Sequence, residues 1–148
     1  GIKRNSISGA EEVASFLNVN KLILIKTKAF HLDTVFTTIM DQHGRLCAVI
    51  VCKDLISKDS FDLLNKFSDL NNIKIINIPP IDSIGTNNNI GSLAVNNFSA
   101  PGLLISSSRF SEPFVAKYLN SKNIKMETTP VSQFQLSGGS IHCLTNEL

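Results

Sequence analysis

The sequence predicts an α/β fold assembled from β–β–α–β units, and three observations carry that prediction. Short β-branched and aromatic runs alternate with amphipathic helical stretches. The order strand, turn, strand, helix, strand occurs twice, at a period of roughly 50–58 residues. Each copy is closed by proline after its last strand, at Pro79-Pro80 and at Pro130. One such unit cannot bury both faces of its sheet, so units must stack around an axis with sheets inside and helices outside. Two copies, with a helix and strand in front and a lone strand behind, amount to an incomplete ring. No linker or low-complexity tract divides them, so 1–148 is expected to belong to one domain.

The elements follow in order. Ser8, with Glu11 three residues on, has capping-box spacing, and Ala10, Val13, Ala14 and Leu17 share one face, which predicts a helix over 9–18. Leu22-Ile23-Leu24-Ile25 is short, continuous and half β-branched, so 21–26 is expected as a strand. A short loop then carries His31 and Asp33. Residues 34–40 are β-branched and aromatic, Asp41-Gln42-His43-Gly44 has turn chemistry, and 46–51 completes the hairpin. Ser57 or Asp59 caps a helix over 58–69 whose apolar face is Phe61, Leu64, Phe67 and Leu70. Residues 73–78 form a strand, and 81–90 reads as a polar loop. The second copy places strands at 92–98 and 103–106 around the turn Ser99-Ala100-Pro101-Gly102. A helix over 112–121 follows, with Pro113 in its first turn, and then a strand over 124–129. Residues 132–136 are read as one helical turn and 141–145 as the last strand.

Composition narrows the function. Hydrophobic residues make up 43% of the 148 and charged residues 18%, the balance of a soluble globular chain with a real core. A net charge of +2 without a Lys/Arg stripe gives no reason to expect a nucleic-acid partner. The longest apolar run is far too short to span a bilayer, so no membrane association is expected. No signal-peptide pattern opens the chain, and Gly1 in place of Met reads as a cut end. Cys47, Cys52 and Cys143 are odd in number and at no paired spacing, which favours a reducing, cytoplasmic location.

Two stretches carry chemistry. Near the end, Cys143 follows the glycine pair Gly138-Gly139; far upstream stands His31-Leu32-Asp33. A single Cys with a distant His-x-Asp is the pattern of a thiol nucleophile with a separate acid/base. The thiolate attacks, the imidazole moves a proton near neutral pH, and the carboxylate holds a cation. If the upstream segment is extended, His31 and Asp33 face the same side. The plain alternatives are a buried strand Cys, a loop His bonded to backbone and a turn Asp. His142, adjacent to Cys143 on an expected strand, should face away and is read as structural. No spacing matches a metal site, and none is expected.

At His31-Leu32-Asp33-Thr34-Val35-Phe36 the chain resembles the guanidine-modifying superfamily, and that phrase looks most like arginine deiminase. The ending Gly138-Gly139-Ser140-Ile141-His142-Cys143-Leu144-Thr145-Asn146 is similar to the agmatine and peptidylarginine deiminases. Lys3-Arg4-Asn5 looks like the Arg-Thr-Asn stretch of the dimethylarginine dimethylaminohydrolases, with the Thr missing. The resemblance covers nearly all of the chain. It implies part of a pentein, an α/β propeller of five ββαβ modules around a polar centre, with 1–148 as its C-terminal half. It further implies a cofactor-free hydrolase acting on the C–N bond of an arginine-like guanidine. Cys143 would be the nucleophile, His31 the acid/base, Asp33 the guanidinium ligand and Arg4 the ligand of a substrate carboxylate. The N-terminal half, which carries further carboxylates, has no match here, so a complementary half in the same or another chain, or a homo-oligomer, is expected. An amidinotransferase shares the first half-reaction. A catalytically silent pentein that binds partners is the reading from a different class, against which the retained His, Asp and Cys argue.

Overall fold

A computed structural model describes residues 6–145. Its elements are α1 (Ile7–Phe16), β1 (Phe36–Met40), β2 (Leu46–Val51), α2 (Lys58–Leu70), β3 (Lys74–Asn77), β4 (Gly85–Thr86), β5 (Asn89–Ile90), β6 (Phe98–Ala100), β7 (Leu103–Ser106), α3 (Pro113–Ser121), β8 (Lys125–Thr128) and α4 (Ser132–Leu136). Two three-stranded sheets have the same plan, β1-β2-β3 and β6-β7-β8, and β4-β5 is a small hairpin between them. In each large sheet the first pair is antiparallel and the second parallel. The parallel pair requires a crossover, which α2 and α3 supply. The expected α/β architecture of repeated ββαβ units is therefore present, and the described residues do not close a ring.

The two copies are built by the same local chemistry. Each hairpin turn ends on a glycine in the left-handed region, Gly44 at φ 73° and Gly102 at φ 70°. In the first turn the Asp41 carboxylate accepts the His43 and Arg45 amides at 2.8 and 3.0 Å. Together with the Arg45 guanidinium these bonds hold Asp41 at about 2. Each long helix hands over to its strand through a left-handed asparagine, Asn72 or Asn123. The next amide in each case, Ile73 or Ile124, bonds back to Ser68 or Leu119. The units share one apolar core in which Ile39, Ile50 and Ile76 of the first meet Leu104, Val115 and Leu119 of the second. At the seam Tyr118 donates to the Cys47 carbonyl at 3.0 Å, and Gln42 donates to the Asn123 carbonyl at 3.2 Å.

Four expectations are corrected. The cap of α1 is Ser6, which accepts from the Gly9 amide, so the helix begins two residues before the expected start. Residues 21–26 are not a strand: Leu22–Ile25 make no ladder among the described residues, and the segment's backbone is fastened at its end. There Thr27 bridges Ile56, and the Lys26 amide bonds Ser60 Oγ. β-Propensity without a neighbouring strand makes no sheet. Residues 92–97 are likewise not strand. Leu93 takes φ 52° and the chain turns, so β6 begins only at Phe98. Within the expected polar loop, Gly85 at φ 86° makes the β4-β5 hairpin.

Candidate active site

His31 is extended, but Leu32–Thr34 forms a 3₁₀ turn and not an extended run. Thr34 fixes that turn by donating Oγ1–H to the His31 carbonyl at 2.7 Å, and the Thr34 carbonyl is gripped from the other side by Ser83 Oγ. The turn brings the Asp33 carboxylate inward while the His31 ring stacks on Phe30, centroids 4.8 Å apart. His31 Nδ1 lies 3.9 Å from Asp33 Oδ1, beyond hydrogen-bond reach.

The second arm comes from the C-terminal end. The glycine pair terminates α4: Gly138 sits at φ 81° with open space where a side chain would go, and the Gly138 and Gly139 amides bond back to Gln135 and Phe134. Gln135 anchors the helix through the Ser92 carbonyl at 2.6 Å. The glycines thus make a turn that aims the following residues. Buried Ser140 and Ile141 then seat the 3₁₀ turn His142–Leu144, in place of the expected strand. This changes which side chains converge. Strand alternation would send His142 away from Cys143's side, whereas on a tight helical turn both approach Asp33.

The result is a compact polar cluster. His142 Nδ1 lies 3.0 Å from Asp33 Oδ2, and because a carboxylate only accepts, Nδ1 carries the hydrogen. Cys143 Sγ is 3.8 Å from the same oxygen and 3.6 Å from Asn96 Oδ1, both long, weak thiol contacts. Asn96 is fully buried and binds both arms. Its Nδ2 donates to the Asp33 carbonyl at 3.4 Å, and its own carbonyl accepts the His142 amide at 3.3 Å. Asp33 Oδ1 is buried and makes no hydrogen bond among the described residues. A cleft of about 260 Å³ lies beside it, lined by Asp33, His142, Thr37 and Asn97 among others.

The three thiols are free and differ in environment. Burial pushes Cys52 up to about 11 and shifts Cys47 in the same direction. Cys143 is exposed. Among the described residues no group of three or more His, Cys, Asp or Glu is placed to hold a metal ion, and no helix is long and apolar enough to cross a membrane.

The structure thus brings Cys143 to one oxygen of Asp33, with His31 3.9 Å from the other. Arg4 lies outside the described residues. Sequence reasoning missed His142 as a neighbour of Asp33 and missed Asn96 altogether. The available signal for Asn96 was an Asn96-Asn97 pair closing an apolar run, a polar pair placed where a core strand was expected.

No protein-family profile matches the sequence, and no curated protein matches it either. Solved structures do. The substrate-bound N-terminal domain of ArgZ, an arginine dihydrolase of the cyanobacterial ornithine–ammonia cycle, superposes with a TM-score of 0.75 at 16% identity, covering 96% of this chain and 47% of that one. An ArgZ domain variant covalently bound to a reaction intermediate gives 0.70 at 14%, covering 95% and 46%. AgrE in binary complex with L-arginine gives 0.74 at 16%, covering 95% and 19%. The fold is that of part of a pentein. At these identities the likeness speaks to fold alone, and the chain spans about half the length of the ArgZ domains.

Proposed function

We propose that 1–148 is the C-terminal half of a cofactor-free guanidine hydrolase acting on an arginine-like substrate. The observation that carries this reading is Asp33. Among the described residues one of its oxygens is buried without a donor, and the other stands 3.8 Å from an exposed thiol. A buried anionic acceptor left open is costly unless a ligand supplies the missing N–H groups. A guanidinium offers them in a planar fork that matches a carboxylate, and it carries the balancing charge. Its central carbon would then lie beside Cys143.

The chemistry follows from that pose. The Cys143 thiolate forms a C–S bond to the guanidinium carbon, and the π electrons move to nitrogen. His31 donates a proton to the departing amine as its C–N bond breaks, leaving an S-alkylthiouronium on Cys143. His31 then takes a proton from water, whose oxygen bonds the same carbon. The C–S bond breaks, the thiolate returns, the hydroxyl proton passes to solvent as the carbonyl forms, and the ureido product leaves, the ammonia or methylamine having departed in the first step. Arg4 is the proposed ligand of a substrate carboxylate. The substrate class is supported by the arginine-bound and covalent-intermediate states of the structures with this fold. Dimethylarginine and arginine remain alternative substrates, and an amidinotransferase would share the first half-reaction.

The other half of the site is proposed to come from a complementary half-ring, in the same or another chain. An exposed apolar strip supports this, formed by Val13 and Phe16 of α1 and Leu17 just after it with Leu22, Leu63 and Leu70. Three free thiols fit a reducing, cytoplasmic setting.

Intact mass spectrometry after incubation with 2-chloroacetamidine, a reactive amidinium, tests the reading on the complete assembly. One adduct that disappears in Cys143→Ser is expected. No adduct would replace the enzyme reading with a silent, partner-binding pentein.

A further inference from the structure

The imidazole of His142 is bonded to Asp33, the carboxylate that the described residues offer a cationic ligand in the cleft. Its Nδ1 stands 3.0 Å from Asp33 Oδ2, with the His142 side chain 50% exposed and that of Asp33 25%. The ring lines the same cleft as Asp33, and its own backbone amide is held by the Asn96 carbonyl at 3.3 Å. The bond spans 109 residues of sequence, so it is a tertiary contact and not a turn feature.

We propose that His142 is a positioning residue: it holds the Asp33 carboxylate in the orientation that receives a guanidinium, and once protonated it competes with that cation. The inference rests on the guanidine reading above and adds a residue and a pH response to it. Each carboxylate oxygen has more than one acceptor site. A single neutral N–H on Oδ2 therefore fixes the carboxylate plane while leaving Oδ1 and the rest of Oδ2 open. An imidazolium makes the same bond but cancels the anion that the ligand needs. Among the described residues the charged and titratable groups near His142 are Asp33, with His31 beside it on the upstream turn, and Cys143 on its own turn. Its amide is held by the Asn96 carbonyl, and the cleft it shares is otherwise lined by uncharged residues, Val95 and Asn97 and, from β1 and its approach, Phe36, Thr37 and Thr38 among them. Among the described residues, then, the imidazolium and an incoming cation share one counter-charge.

The test is saturable inactivation of the complete assembly by 2-chloroacetamidine across roughly pH 5 to 8, with KI and kinact resolved separately. KI reports capture of the cation, and kinact reports alkylation and its proton transfers, so His31 and the thiol act mainly on the latter. In the wild type KI should rise roughly threefold from the upper to the lower end of that pH range, the size of one half-exposed ion pair. His142→Asn keeps an N–H near the Nδ1 position without a titrating charge. Its KI should stay within about twofold of the wild type at the upper end of the range and should change less with pH than that of the wild type, the remaining change coming from His31 beside Asp33 Oδ1. His142→Ala should show KI raised about fivefold at every pH. Identical pH curves for wild type and His142→Asn, or an unchanged KI in His142→Ala at the upper end, would overturn the inference while leaving saturable Cys143 labelling intact. Absence of saturable labelling in every variant would remove the guanidine reading and this inference with it.

Discussion

Asn96→Leu is the substitution that asks most of this site. Leucine has nearly the shape of asparagine but none of its polarity, so the core stays filled while two tethers go. The first is Nδ2–H to the Asp33 carbonyl at 3.4 Å, and the second is the contact of Oδ1 with Cys143 Sγ at 3.6 Å. The first is long for its type and leaves a carbonyl short of a donor, worth about 1 kcal/mol. The second is weaker, about 0.5 kcal/mol. The summed loss of about 1.5 kcal/mol corresponds to a fall in Tm of roughly 3–6 °C for a chain of this size. The backbone bond from His142 to Asn96 survives, so the fold persists and the site loosens. A displacement near 1 Å between reacting groups can cost on the order of a hundredfold. The assay compares the rates at which Cys143 is alkylated by cationic 2-chloroacetamidine and by neutral iodoacetamide. The neutral reagent reads the thiol alone, and the ratio reads the thiol and carboxylate held together. The ratio should fall about tenfold or more towards that of an unstructured cysteine. A Tm drop with the ratio unchanged would show that Asn96 supports the fold and does not assemble the site.

Three other outcomes are expected. Asp33→Asn should slow the cationic reagent about tenfold or more while leaving the neutral reagent no slower, because the charge-assisted grip is lost and the thiol remains. Leu119→Ala, at a position fully buried where the two units meet, should cost about 2–5 kcal/mol in urea unfolding with the m-value unchanged. In alkaline solution, burial holds Cys52 near 11 against an ordinary 9.0, and Tyr118 near 12 against an ordinary 10.0. The unfolded chain releases those protons first, so stability should be at its plateau below pH 9.0 and fall as pH rises towards about 11. Urea midpoints across that window check the sign, and a midpoint that rises would refute it.

The parts of the fold legible from sequence are those decided within one unit. The turn residues ending in Gly44 and Gly102, the Phe61, Leu64 and Phe67 face of α2 and the proline stops act locally, and the structure keeps them, whereas Leu70 of the expected face is exposed. What sequence reasoning misplaced depended on distant partners. Leu22–Ile25 has strand composition but pairs with no strand among the described residues. Residues 92–97 look like a strand, yet the chain must bend at Leu93 to bury Asn96 and Asn97 with their hydrogen bonds made. The same holds in the site. Cys143 and Asp33 were recognisable by residue type, but His142 was assigned to the wrong side because the period of a strand was assumed for a helical turn. Asn96 acts through a carbonyl 63 residues away, which no local pattern reveals.

That distance has a kinetic meaning. Each ββαβ unit closes through contacts between sequence neighbours, whereas the thiol and carboxylate meet across 110 residues. Contacts of such separation carry the largest loop-closure cost until the intervening units have condensed. The units can therefore form early as local structures, but the Cys143 thiol and the Asp33 carboxylate come together only when both have formed and docked.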